Sequence, residues 1–139
     1  AGRPFVGPAG QLLDRALAAA GIERGQVYLT NAVKHFKFTP AGKKRLHAKP
    51  DYHEVAACRP WLDNELALVN PERIITLGAT AAQALLQRRV AVTRERGRPI
   101  EWQSRLIWPT IHPSYLLRTQ DTNGLGFSRF VADLAAAIA

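Results

Sequence analysis

The hydrophobic pattern divides the chain into alternating helical and strand-like runs. In QLLDRALAAAGI, apolar residues recur at Leu12, Leu13, Ala16, Leu17 and Ala20, one face of a 3.6-residue helix, and Gly21 is its C-terminal stop signal. VYLTNAV (27–33) is β-branched and apolar, the length of a strand buried on both faces. Asp51 and Glu54 carry the spacing of a capping box. The helix they open places Val55, Cys58, Leu62, Leu66 and Val69 on one face, with Pro60 as a kink and Pro71 as its stop. RIITLGA (73–79) predicts a second buried strand that turns at Gly78 into the helix TAAQALL (80–86). RRVAVTRERGRP reads as a loop or edge hairpin. LIWPTIHPS (106–114) reads as a third strand, with Pro109 arguing for an edge or bulged position. FSRFVADLAAAI (127–138) is a final helix with Phe127, Phe130, Val131, Leu134 and Ile138 facing inward.

Strands alternating with helices of these lengths predict an α/β fold. The expected form is a three-layer α/β/α domain with a central, mostly parallel sheet. In such sheets ligands bind beyond the carboxyl ends of the strands. Those ends are residues 31–35, 78–80 and 112–114.

Charge changes this picture most. The net charge of +8 and pI near 10.4 favour a nucleic-acid partner, with a merely basic, solvated surface as the alternative. The positive charge is densest in KHFKFTPAGKKRLHAKP (34–50), which holds six Lys/Arg, two His, two Phe and no acid. A charge block is most often a solvated tail. This one is interleaved with aromatics and lies between two predicted elements, so it reads as a long loop that contacts a polyanion. The single Cys58 excludes an internal disulfide, and no apolar run approaches the roughly 20 residues needed to span a bilayer. The chain has no Met. It is expected to be one domain over 1–139, truncated at its N-terminus and lacking a first strand.

Five segments in order then resemble a known superfamily: GRPFVGPAG before a helix, YLTNAVK, ACRPWL, LGATAAQALL and HPSYLLR. Together they are similar to the iron–sulfur uracil-DNA glycosylases of family four. The segment ending KKRLH is similar to the insertion of the UdgX branch, whose members become covalently attached to uracil-containing DNA. The resemblance covers nearly the whole chain and implies excision of uracil from DNA, in DNA repair.

The resemblance also implies roles for residues that alone would be read more simply. Phe5, otherwise a core Phe, would stack on the extruded base, a contact worth about 1–3 kcal/mol. Asn31, otherwise a loop cap, would donate to uracil O4 and accept from N3–H, a pattern cytosine reverses. His112, otherwise a structural strand-end His, would donate to uracil O2 as charge develops on the leaving base. In the turn SYLLR (114–118), Tyr115 or Leu116 would fill the gap left by the flipped nucleotide. Ser114 and Arg118 would meet DNA, as would Lys43, Lys44 and Arg45 in the basic segment.

His47, otherwise a surface His of a basic DNA-binding loop, would attack the sugar at C1′ in place of water. Lys43, Lys44, Arg45 and Lys49 favour its neutral, nucleophilic form, and Arg45 would hold the loop or a phosphate. Cys58 and His35 fall where cluster ligands lie in the resembled family, so a 4Fe–4S cluster is implied, with the other ligands upstream of Ala1. From residues alone Cys58 is a buried helix cysteine. The expected partner is uracil-containing DNA, single-stranded or with its base flipped out. The protein is expected to act as a monomer in the bacterial cytoplasm, associated with the nucleoid. The rival readings are a hydrolytic glycosylase with a basic loop, a non-catalytic DNA-binding module, and a basic-surfaced α/β enzyme unrelated to DNA.

Overall fold

The structure, a computed structural model, describes residues 7–29, 37–41, 44–48 and 63–138, the two short stretches by backbone alone. Helix α1 spans Pro8–Ala19, with Pro8 in its first turn, where a missing N–H removes no intrahelical bond. It ends as the sequence predicts: Gly21 adopts φ +80°, the left-handed conformation that closes helices without a Cβ penalty. A single 3₁₀ turn, Arg24–Gln26, follows. Residues 27–29, expected to start a strand, form none, and the remainder of that run lies outside the described residues.

The basic segment holds a hairpin rather than only a loop. Strands β1 (Lys37–Ala41) and β2 (Lys44–Ala48) pair antiparallel, from Lys37 opposite Ala48 to Ala41 opposite Lys44. That register leaves a two-residue connection, the length at which Gly is favoured, and Gly42 stands there in the sequence.

Helix α2 is described over 63–69 and closes on Asn70, whose N–H donates to the Leu66 carbonyl at 2.8 Å with φ at +49°. Pro71 follows directly, as a stop should. Leu66 packs inward as expected, but Val69 is 40% exposed and does not share its face. The capping box at residues 51–54 lies outside the described residues.

Three further strands form one mixed sheet in the order β3–β5–β4: β3 is Arg73–Leu77, β4 Ile100–Trp102 and β5 Arg105–Thr110. β3 and β5 run parallel, from Arg73 opposite Leu106 to Leu77 opposite Thr110, and β4 pairs antiparallel with β5. Helix α3 (Ala79–Leu86) leaves β3 through Gly78, and a short α4 (Val92–Glu95) precedes β4. Helices α5 (Pro113–Arg118) and α6 (Leu125–Ala136) complete the chain.

The strand alternation sorts the layers. Ile75 and Leu77 pack on a core of Leu12, Leu13, Ala16, Leu17, Leu116, Phe130 and Leu134, from α1, α5 and α6. Ile74 and Ile107 face the other way, onto Ala84 and Leu85 of α3 and Leu66 of α2. Helices therefore cover both faces, as an α/β domain requires. Ile138, expected inward, is 48% exposed past the end of α6.

Pro109 is the clearest departure from expectation, because β5 is the central strand. Leu106 donates its N–H toward β3, to the Glu72 carbonyl at 2.9 Å. Three residues on, Pro109 must direct its donorless nitrogen to the opposite side. There β4 has already ended, its last register pair toward the end of β5 being Ile100 with Ile107. Past that point Gly97 covers the edge, donating its N–H to the Pro109 carbonyl at 2.9 Å. The missing donor removes no ladder bond. The RRVAVTRERGRP segment that supplies this cover is a helical turn running toward an edge strand, not a hairpin of its own.

Candidate active site

The parallel pair β3 and β5 ends with Leu77 opposite Thr110, and the two exits remain in contact. Gly78 donates its N–H to the Thr110 carbonyl at 2.9 Å. Its backbone, φ +87° and ψ 165°, lies in a region reserved almost wholly for glycine. A Cβ there would stand 3.2 Å from Cβ of His112. The turn into α3 is thus pressed against the His at the start of α5. Gly78→Ala is expected to lower stability by about 1–3 kcal/mol, the range for such backbone strain, read as the shift in urea midpoint at unchanged m.

His112 is the N-cap of α5, with Pro113 at the first helical position. Its Nδ1 accepts from the Ser114 backbone N–H at 3.1 Å, in the manner of an Asp or Asn cap. Tyr115 N–H donates to the His112 carbonyl at 2.9 Å, which starts the helix. An imidazole nitrogen that accepts carries no proton, so the ring is neutral and its proton sits on Nε2. Burial pushes the His112 pKa below its ordinary value, and the nearby positive charge of Arg118 lowers it further. Geometry and electrostatics agree on a neutral ring whose Nε2–H is a donor.

The rest of α5 separates a buried face from a solvent face. Leu116 is 2% exposed and belongs to the core beneath α1 and α6, so it cannot enter a DNA gap. Tyr115, at 48% exposed, is the member of that pair left for the role. Arg118 reaches back one turn, its Nη1 at 3.4 Å from Ser114 Oγ. The loop after α5 is anchored twice. Asp121 Oδ2 accepts from Gly126 N–H at 3.0 Å at the start of α6, and Arg15 of α1 donates to Asn123 Oδ1 at 2.8 Å.

His112, Ser114 and Arg118 are thus brought together at the ends of β3 and β5. Lys44, Arg45 and His47 lie on β2, opposite Ala41, Pro40 and Phe38, and are described by backbone alone. Phe5, Asn31, His35, Lys43 and Cys58 lie outside the described residues. Among the described residues no group of three or more His, Cys, Asp or Glu is arranged to hold a metal ion. A 4Fe–4S cluster takes four protein ligands, ordinarily thiolates, and this chain contains one cysteine. The residues of this chain alone do not complete that ligand set.

One buried polar group behind the site was missed by the sequence reading. Asp133, on the inner side of α6, accepts through Oδ2 from Arg96 Nε at 2.6 Å and from Thr110 Oγ1 at 2.7 Å. The Arg96 and Asp133 side chains are 11% and 10% exposed, and Thr110 is fully buried. Gly97 makes room for this pair: a Cβ there would lie 2.6 Å from Asp133 Oδ1. The available signal was an acid within the stripe Phe130, Leu134, Ala137, where burial demands a partner.

Comparison with known proteins bears on what the site is for. Residues 1–135 match the Uracil DNA glycosylase superfamily. The chain is 41% identical over 121 residues to a type-4 uracil-DNA glycosylase of Thermotoga maritima, covering 86% of this chain and 59% of that protein. It is 45% identical over 87 residues to a protein of the same description from Pyrobaculum aerophilum, covering 63% and 41%. Against that of Sulfurisphaera tokodaii it is 33% identical over 125 residues, covering 84% and 54%. The chain therefore spans roughly half the length of these relatives.

Proposed function

This chain belongs to the uracil DNA glycosylase superfamily, and we propose that it excises uracil from DNA and is then captured by its own product through His47. The observation that carries the excision step is the placement of His112: its Nδ1 accepts from the Ser114 N–H, which puts the ring proton on Nε2, at the ends of two parallel strands.

A base inside a duplex is out of reach, so the substrate is a single strand or a flipped nucleotide. Phe5 stacks on the base, and Asn31 reads its O4 and N3–H edge. The C1′–N1 bond breaks with its electron pair leaving on uracil, where charge gathers on O2. His112 Nε2–H donates to that oxygen without having to give up its proton. The sugar is left as an oxocarbenium ion. The neutral His47 ring attacks C1′ with a nitrogen lone pair, forming a C–N bond, and the proton on its other nitrogen passes to the uracil anion or to solvent. With that proton gone, the sugar-bound ring could leave only as imidazolate, a far poorer leaving group than the uracil anion held by His112, so the adduct persists. Arg45, with Lys43 and Lys44, holds the strand by its phosphates, as do Ser114 and Arg118.

The test is a denaturing gel of the protein incubated with a uracil-containing single-stranded oligonucleotide, run beside His47→Ser. The expected result is a covalent band that requires uracil and vanishes in His47→Ser, while free uracil is still released by the variant. Multiple turnovers by the wild-type protein with no shifted band would instead establish the hydrolytic reading. That reading draws support from the relatives of 33%, 41% and 45% identity, which are described as type-4 uracil-DNA glycosylases. No helix among the described residues is long and apolar enough to cross a membrane. We place the protein's work on uracil-containing DNA in the bacterial cytoplasm, as a monomer associated with the nucleoid.

A further inference from the structure

We infer that Asp133 and Thr110 are positioning residues for His112, acting through the end of strand β5; the inference rests on the reading of His112 as the donor to the departing base. Thr110 lies two residues before His112, with only the buried Ile111 between them. Its carbonyl and its hydroxyl are both committed. Its carbonyl accepts from Gly78 on the β3 side, and its hydroxyl donates to Asp133 on the α6 side. On the remaining side the neighbouring Pro109 carbonyl accepts from Gly97, and Arg96, adjacent in sequence, closes the network onto the same Asp133 oxygen. The last residues of β5 are therefore tied to β3, to α6 and to the segment before β4 within three residues of His112.

This arrangement differs from a general structural clamp in where it acts. The ion pair joins α6 to the segment after α4, and packing of Phe130 and Leu134 already fixes α6 to the core. What the pair adds is a charged acceptor aimed at a hydroxyl on a strand, at the point where that strand becomes the helix capped by His112. A catalytic donor must be held to a fraction of an ångström, and hydrogen bonds behind it supply that precision. A rotation of the β5 end would move the His112 ring away from the Ser114 N–H, and with it the reason for Nε2 to hold the proton.

Thr110→Val separates these roles, because it removes the hydroxyl donor while keeping a β-branched side chain in the same space. Two readouts are needed: the imidazole ¹⁵N and ¹H signals of His112, and the single-turnover rate of uracil release from a single-stranded oligonucleotide. The wild-type protein should show the pattern of an Nε2–H ring. Thr110→Val should show mixed tautomers and about a tenfold slower release, the scale of a small misplacement of a catalytic group. Affinity for a uracil-free oligonucleotide should be unchanged, and Thr110→Ser should restore both signals and rate. Imidazole signals identical in wild-type and Thr110→Val overturn the inference, whatever the rate does. Signals that move while the rate holds leave the positioning intact and remove His112 from the chemistry instead. Should Thr110→Val not fold, Thr110→Cys, small and with only a weak S–H donor, is read against the same two outcomes.

Discussion

Replacing His112 with Ala is expected to slow uracil release by about 10²–10³-fold, the loss that follows removal of one donor from a developing oxyanion. The protein should still bind DNA, since phosphate contacts come from Lys and Arg and carry most of the salt-dependent affinity. The measurement is single-turnover release at saturating protein, with affinity for a uracil-free strand as the control. A reduction shared equally by rate and affinity would mean that His112 holds structure rather than charge. The same residue sets a pH dependence whose sign follows from its environment. Burial, then the charge of Arg118, lowers the His112 pKa, so the neutral donor persists below the range in which a free His protonates. Release should therefore stay level as pH falls through about 6.5, the ordinary His value, and decline only below it. Stability moves in the same direction. The unfolded chain takes up a proton on this ring first, so the contribution is complete above the unfolded value and is lost as pH falls toward the lowered one. Arg118→Gln, examined without DNA, should raise the His112 titration midpoint toward ordinary.

The elements around this site were legible because each carries its own local signal. α1 shows its helical stripe and Gly21 its stop, and Gly78 stands where an apolar strand turns into an Ala-rich helix. His112 was legible only as a residue at a strand end: 106–114 read as one strand followed by a turn, whereas the strand ends at Thr110 and His112 caps a helix, Pro113–Arg118. The hairpin of β1 and β2 was obscured by charge: Lys and Arg alternate with Phe38 and Leu46, but their density reads as solvated loop. Pro109 misled for a different reason. Its rule is correct for a strand paired on both sides along its whole length, and β5 is paired on one side only where Pro109 stands. No periodicity reports where a neighbouring strand ends. Leu116 and Tyr115 are adjacent in sequence and were interchangeable as wedges until α5 was oriented against α1. The basic segment that dominated the charge pattern contributes Lys44, Arg45 and His47 to one strand, with Arg45 and His47 two apart, the interval that returns to the same face of a strand.

Asp133→Ala is the substitution expected to lower stability most. It leaves the Arg96 guanidinium buried with no counter-charge and the buried Thr110 hydroxyl with no acceptor. Breaking a buried pair from one side costs about 3–5 kcal/mol, because the surviving charge keeps its desolvation penalty without its compensation. For a chain of 139 residues this corresponds to a fall of roughly 10–15 °C in Tm. The pair itself need not be worth that much. Replacing both charges with apolar groups of similar volume is often neutral, so Asp133→Leu combined with Arg96→Met should recover most of the lost Tm. Calorimetry on the single and double variants decides the point, and a double variant no more stable than Asp133→Ala would show that the carboxylate acts chiefly on Thr110. Recovery of Tm need not bring recovery of activity. The double variant restores the packing of α6 on the sheet but not the acceptor for Thr110, so it is expected to be stable and still slow in releasing uracil. That separation follows from the geometry: one carboxylate oxygen serves both the charge that holds the fold and the hydroxyl that sets the end of β5.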